Sequence, residues 1–294
     1  AGVIAQRIEC RVRTDDGQRQ VILDRCALEP LQRRLRISET RVQSGDLSDR
    51  EHAVRDQNVG SRTGLGHEVR VRAVVRESVA EHCVALALML AKNMRLADIA
   101  LRACIGAARD ELIGTELRGK TLGVLGFGRI GQQTARICRY GFDMSVLYFD
   151  PIQFPAVENE LDAQRVDENA LFKAADFISI NMPLLSETQH FVNADLLKLM
   201  KPTAILINMA RGPVWNEADV VAALQENRIA GAGSDVYEVE PITPDNALLK
   251  QDNFGGTPHM SAHTEEAMIR MSMVAKDVLC VLEGKDPEYP FLAD

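Results

Sequence analysis

From position 119 onward, short apolar runs alternate with amphipathic stretches at a regular interval. Six runs, at 121–125, 144–149, 177–180, 204–209, 229–236 and 253–257, are rich in apolar or β-branched residues and have the length of strands. Between them lie patterns with helical periodicity, at 130–140, 193–200 and 217–227; Gly141 ends the first and Pro202 follows the second. Successive runs begin 23 to 33 residues apart, the size of a strand-helix-strand unit. This alternation predicts an α/β fold, a doubly wound parallel sheet with helices on both faces.

Upstream, Ser78-Val79-Ala80-Glu81 has the Ser-x-x-Glu spacing of a capping box, and the chain to about Ala100 has no Gly or Pro. A long, largely buried helix is expected there. His82 falls in its first turn with no titratable group beside it to work with, so it reads as a packed or capping histidine.

Composition divides the chain at the same place. Positions 1–77 hold 15 Arg, no Lys and 12 acidic residues, a charge of +3, which leaves 19 basic and 30 acidic residues, −11, for the remainder. Positions 1–126 contain no Phe, Tyr or Trp. With 294 residues, two domains are expected. The Arg of the leading segment invites a nucleic-acid reading. It is set aside because acidic residues interleave with the Arg, no aromatic is present to stack on bases, and the isoelectric point is about 5.4. No apolar run reaches the roughly 18 to 20 residues of a membrane span. The first residues lack the pattern of a secretory signal, and the six cysteines (Cys10, Cys26, Cys83, Cys104, Cys138, Cys280) show no ligand spacing. A cytoplasmic protein with reduced thiols and no metal is the expectation; His263, four residues past His259, is read as a loop residue rather than half of a metal pair.

The chemistry lies in the second part. Gly126-Phe127-Gly128-Arg129-Ile130-Gly131 is a GxGxxG between a predicted strand and a predicted helix, the context a dinucleotide-binding Rossmann turn requires. Its glycines allow a tight turn, close approach of a pyrophosphate and helix-strand packing, and the helix N-terminus offers free N–H groups. Asp150 ends the next strand with 18 residues between it and Gly131, the place of the acid that accepts from the ribose hydroxyls and repels a 2′-phosphate. NAD is therefore expected over NADP, although Asp-Pro also opens turns.

Ligands of such sheets bind beyond the carboxyl ends of the strands. Arg211 follows the fourth run, Asp235 and Glu240 the fifth, and His259 the sixth. A histidine can move the proton on a substrate oxygen during hydride transfer, a carboxylate can orient that histidine, and a guanidinium can hold a substrate carboxylate through two bonds. Each alone could be a surface ion pair or a turn residue; together they point to one site.

The stretch 78–284 resembles the D-isomer-specific 2-hydroxyacid dehydrogenases. The likeness rests on Ser78-Val79-Ala80-Glu81-His82, on Gly119-Lys120-Thr121 leading into the glycine motif, on Leu199-Met200-Lys201-Pro202, on Asn208-Met209-Ala210-Arg211-Gly212, on Asp235 to Pro241, and on Thr257-Pro258-His259. The resemblance implies Arg211 as the substrate-binding arginine, Glu240 as the acid that orients the histidine, and His259 as proton donor and acceptor. It further implies that Asp235 holds the nicotinamide carboxamide, that Arg129 and Ile130 meet the pyrophosphate, and that backbone at Met209 and Ala210 lines the nicotinamide.

It also implies a Rossmann domain over 78–262, and a smaller flavodoxin-like substrate domain made of 1–77 with about 263–294. The implied activity is NAD-dependent interconversion of a small 2-keto acid and its D-2-hydroxy acid by a homodimer. Formate-oxidising members look to carry Gln where Glu240 stands, which favours the keto acid over formate. An NAD-sensing corepressor on the same scaffold is the alternative of a different class; such a protein need not keep all three catalytic residues. Positions 1–77 depart from the family in lacking its Gly-rich carboxylate-binding loop, Gly60, Gly64 and Gly66 being the nearest glycines.

Overall fold

The computed structural model describes residues 7–14, 17–24, 75–103, 110–282 and 285. Two compact units are separable, Ala1–Val74 with Met268–Asp294, and Val75–Ala267. In the first, β1 (Arg7–Thr14) and β2 (Gly17–Asp24) form an antiparallel pair that runs from Arg7 opposite Asp24 to Thr14 opposite Gly17. Most of the expected flavodoxin-like domain, 1–77 with about 263–294, lies outside the described residues.

The second unit opens with α1 (Arg76–Ala91) and α2 (Met94–Arg102). It continues as β3 (Thr121–Leu125), α3 (Arg129–Phe142), β4 (Ser145–Phe149), α4 (Pro155–Leu161), β5 (Ala163–Arg165), α5 (Glu168–Ala174) and β6 (Phe177–Ile180). Then come α6 (Ala194–Leu199), β7 (Ile205–Asn208), α7 (Glu217–Gln225), β8 (Gly231–Ser234) and β9 (Phe254–Gly256); α8 (Glu265–Leu282) follows, and from Met268 it is counted with the first unit. Seven strands pair in the order β5-β4-β3-β6-β7-β8-β9, every pair parallel. The chain steps outward from β3 to β5, then returns and steps the other way from β6 to β9. This reversal between β3 and β6 is the crevice where ligands of doubly wound sheets bind.

Both sheet faces are covered, which is why the inner strands read as continuous apolar runs rather than alternating ones. On one face Leu171, Phe172, Leu196, Leu197, Trp215, Val220 and Leu224 join Leu125, Ile178, Ile180 and Leu206 in a single buried cluster. On the other, α1 lies across β7, β8 and β9. Gly231-Ala232-Gly233-Ser234 is a weak strand former by composition, and its glycines answer to this packing. A Cβ on Gly233 would stand 2.9 Å from Ile207 Cδ1 and 3.2 Å from Leu90 Cδ1.

Three expected features differ. Helix α1 stops at Ala91, because Asn93 takes a left-handed conformation (φ +51°) and its amide donates to Ile113 O (3.1 Å); the remainder of the expected helix is the separate α2. Ser78 is no cap, since the helix begins two residues earlier and its hydroxyl donates to Ser261 O, 183 residues away. Gly141 likewise does not end α3, which runs to Phe142 and is closed by left-handed Asp143 (φ +53°). The sequence pattern missed α4, β5 and α5; none exceeds seven residues, too few for periodicity to register.

Candidate functional site

The phosphate loop is built as its glycines require. Gly126 has φ +86°, and a Cβ there would stand 2.6 Å from Met182 N in the segment after β6, so the turn closes tightly across the crevice. A Cβ on Gly131 would run into Gly126 O and Val124, which is the close helix-strand contact of the motif. Around Gly128 a Cβ would meet nothing within 4 Å, so this side of the loop is open. Gly128 caps α3 without a side chain, leaving the N–H groups of the first turn, where Arg129 is exposed and Ile130 half-buried, directed outward. Those donors and that open side fit a pyrophosphate.

Phe127 anchors the loop from within. It is fully buried and stacks on Tyr148 at 4.1 Å between ring centroids, with Phe154 edge-on. Its backbone N–H donates to Asp150 Oδ2 (2.7 Å), while Asp150 Oδ1 accepts from Ile152 N (2.9 Å). Asp150 therefore both opens its turn and faces the phosphate loop. A carboxylate offers about four acceptor positions, so two remain for ribose hydroxyls. Arg165, on β5, spends its fork on the carbonyls of Asp150 (2.9 Å) and Pro151 (2.8 Å).

At the carboxyl edge, Asn208 folds the segment after β7. It accepts from Ala210 N (3.0 Å) and donates to Arg211 O (3.0 Å), while Met209 N donates to Ile180 O (3.0 Å). Met209 and Ala210 are buried and Arg211 is exposed. The Arg211 guanidinium donates to Ala210 O (2.7 Å) and makes no bond with Glu240 or His259. Its loop nonetheless touches theirs, because Gly212 packs so closely on Tyr237 and Glu238 backbone that a Cβ has no room.

Glu240 and His259 do meet. Nδ1 of His259 lies 2.7 Å from Glu240 Oε2, and Glu240 Oε1 accepts from Tyr237 N (3.0 Å). With Nδ1 engaged, Nε2 is the ring atom left to face a substrate. Asp235 is nearly inaccessible to solvent and organises the same loop, accepting from Thr257 Oγ1 (2.6 Å), Met260 N (2.8 Å) and Ser261 N (2.8 Å). Burial pushes its carboxyl upward, but bonds from Ser261, Thr257 and Met260 outweigh burial and hold it below the ordinary carboxylate value. Burial, then the charges of Asp235, Glu217 and Glu240, pushes the Tyr237 hydroxyl up to about 12, so it serves as a neutral donor to Thr257 O (3.1 Å).

Sequence reasoning missed His82. Its Nε2 lies 2.7 Å from Thr257 Oγ1 and 4.0 Å from Asp235 Oδ1. Thr257 stands two residues before His259, but nothing local marks it as the partner of residue 82. Tyr148 and Tyr237 are buried and Tyr140 is exposed.

Residues 84–261 match the model of the D-isomer specific 2-hydroxyacid dehydrogenase NAD binding domain, more than half of the chain. The chain belongs to that family. A glyoxylate reductase of Thermococcus litoralis is 39% identical over 221 residues, covering 73% of this chain and 66% of the relative, so the chain spans just under two thirds of that protein's length. Glyoxylate/hydroxypyruvate reductase B of Salmonella newport is 38% identical over 218 residues, covering 72% and 67%. Among solved structures, D-lactate dehydrogenase from Aquifex aeolicus, complexed with NAD and lactic acid, superposes with a TM-score of 0.65 at 30% identity, covering 71% of this chain and 67% of that one. The matched domain is the family's NAD binding domain, and NAD is its cofactor. Among the described residues no group of His, Cys, Asp and Glu could hold a metal, and no helix is long and apolar enough to cross a membrane.

Proposed function

We propose that this chain reduces a small 2-keto acid to the D-2-hydroxy acid with NADH, and runs the reverse reaction with NAD. The observation that carries the reading is the 2.7 Å contact between His259 Nδ1 and Glu240 Oε2 at the carboxyl edge of a sheet whose other loops suit a dinucleotide. In this reading NAD is held by the phosphate loop (Gly126, Gly128, Arg129, Ile130, Gly131), by Asp150 at the ribose, and by Met209, Ala210 and Asp235 at the nicotinamide. Bound NADH supplies the hydride to the keto carbon.

His259 donates a proton from Nε2 to the carbonyl oxygen as that oxygen gains charge, and takes it back when the hydroxy acid is oxidised. Glu240 holds Nδ1–H, fixing the ring's orientation and offsetting the positive charge of the imidazolium. Arg211 has donors beyond the one given to Ala210 O, and two of them suit a carboxylate in a bidentate pair. Residues 1–77 with about 263–294 are assigned to the substrate domain, as the family resemblance implies.

The test is a panel of glyoxylate, hydroxypyruvate, pyruvate, phenylpyruvate and 3-phosphohydroxypyruvate, followed by NADH absorbance. Turnover of at least one is expected. NADH binding with no turnover on any of them would favour a nucleotide-sensing protein instead.

A further inference from the structure

The segment that carries His259 is clasped from α1 by groups the proton relay does not use. Ser78 donates to Ser261 O, and one turn along the same helix His82 reaches the hydroxyl of Thr257. That hydroxyl also meets Asp235 Oδ1 (2.6 Å), which accepts from Met260 N as well (2.8 Å). The four groups come from α1, from the segment after β8 and from the segment after β9.

Proton bookkeeping fixes the direction of this chain. A hydroxyl carries one proton, and an ionised carboxylate can only accept. Thr257 therefore gives its proton to Asp235. The ring nitrogen that meets the same oxygen at 2.7 Å must then be the donor, so His82 carries a proton on Nε2. A donor on the hydroxyl oxygen polarises it and strengthens its own bond onward to the carboxylate. Asp235 Oδ1 then has two donors, Thr257 Oγ1 and Met260 N, while Oδ2 accepts from Ser261 N, so the Thr257 hydroxyl is one of the bonds that set how the carboxylate is turned.

We propose that His82 is a positioning residue of the nicotinamide site: through Thr257 it fixes the orientation of the Asp235 carboxylate that meets the carboxamide N–H. The inference rests on the assignment of Asp235 to the nicotinamide made above. His82 touches neither cofactor nor substrate in this account. Loss of its donor leaves the Thr257 hydroxyl free to turn, and the cost falls on binding of the reduced nicotinamide.

The experiment measures NADH affinity by fluorescence titration, together with kcat and KM on the best keto acid, for His82→Ala, His82→Gln, Thr257→Val, Thr257→Ser and the His82→Ala/Thr257→Val double variant. Loss of one neutral hydrogen bond predicts NADH affinity weakened roughly three- to tenfold in His82→Ala and in Thr257→Val. The KM for the keto acid stays unchanged. Glutamine, with an amide N–H near the Nε2 position, and serine, with the hydroxyl, restore affinity. The double variant is no weaker than Thr257→Val alone, because His82 acts through that hydroxyl.

Unchanged NADH affinity in His82→Ala, or losses that simply add in the double variant, would overturn the proposal. If His82→Ala does not fold, the Thr257→Val and Thr257→Ser pair decides, and full affinity in the valine variant overturns it. Failure of the wild type to turn over any keto acid would sink the reductase reading and leave the NADH comparison standing, so the two can be told apart.

Discussion

Nδ1 of His259 sits 2.7 Å from Oε2 of Glu240, and His259 takes a left-handed backbone (φ +52°) at that position. A non-glycine residue in that region costs on the order of 1–3 kcal/mol and persists only where its surroundings impose it. Here they do: Asp235 binds the N–H groups of the next two residues, and His259 N donates to Thr257 O (3.0 Å). The strain falls on the residue that would move the proton. His259→Ala is expected to lower kcat for keto-acid reduction by about 10²- to 10⁴-fold while NADH affinity is retained. Glu240→Gln, which keeps an acceptor for Nδ1–H and loses the charge, should fall between wild type and His259→Ala. Near-normal turnover in the alanine variant on every keto acid tried would remove the relay.

Asp150 serves two masters, the phosphate loop through Phe127 N and, in the proposed complex, the ribose. Asp150→Ala removes the charge that repels a 2′-phosphate, so the ratio of kcat/KM for NADH over NADPH should drop. Part of the drop should come from weaker NADH binding, because Phe127 N loses its acceptor. A ratio equal to that of wild type would assign cofactor choice elsewhere.

Gly212→Ala is expected to be severe for a residue that touches no ligand. Its Cβ would collide with the backbone of Tyr237 and Glu238, which neither a rotamer change nor a small shift relieves. Overpacking of this kind costs about 1–3 kcal/mol. The displaced backbone also lies between Arg211 and Glu240, so kcat/KM should fall more than the melting temperature implies. Denaturant unfolding and steady-state kinetics on one preparation check both; a variant with wild-type stability and activity contradicts the packing.

Asp235 links stability to pH. Its carboxyl is held below the ordinary value in the folded chain, so its contribution is complete above the unfolded value of about 3.9 and is lost as pH falls through the folded one. Asp235→Asn, which leaves buried donors without an acceptor, should destabilise the protein by about 1–3 kcal/mol at neutral pH. The gap from wild type should then narrow below about pH 4, where the aspartate itself protonates. Urea midpoints taken across that range test it. A gap that stays constant with pH would mean the carboxylate's charge contributes nothing.

What the amino-acid order determined by itself is what depends on near neighbours. The bounds of β3 and β6, the glycine turn between β3 and α3, and the place of Asp150 at the end of β4 follow from apolar period, glycine spacing and strand length, all set within about thirty residues. The nomination of Arg211, Glu240 and His259 belongs with these, because parallel strands put the segments after them on one edge whatever their order in the sheet.

Tertiary structure decided what those segments meet. Ser78 has the spacing of a helix cap and instead binds Ser261; His82 stands alone in sequence and reaches Thr257, 175 residues on. Only the placement of α1 across β7, β8 and β9, where Gly233 leaves room for Leu90, brings its first two turns onto the loop of His259. Such a contact leaves no local trace, because a histidine's hydrogen bond can be made with a partner at any sequence distance, and packing of the helix on the sheet chooses which.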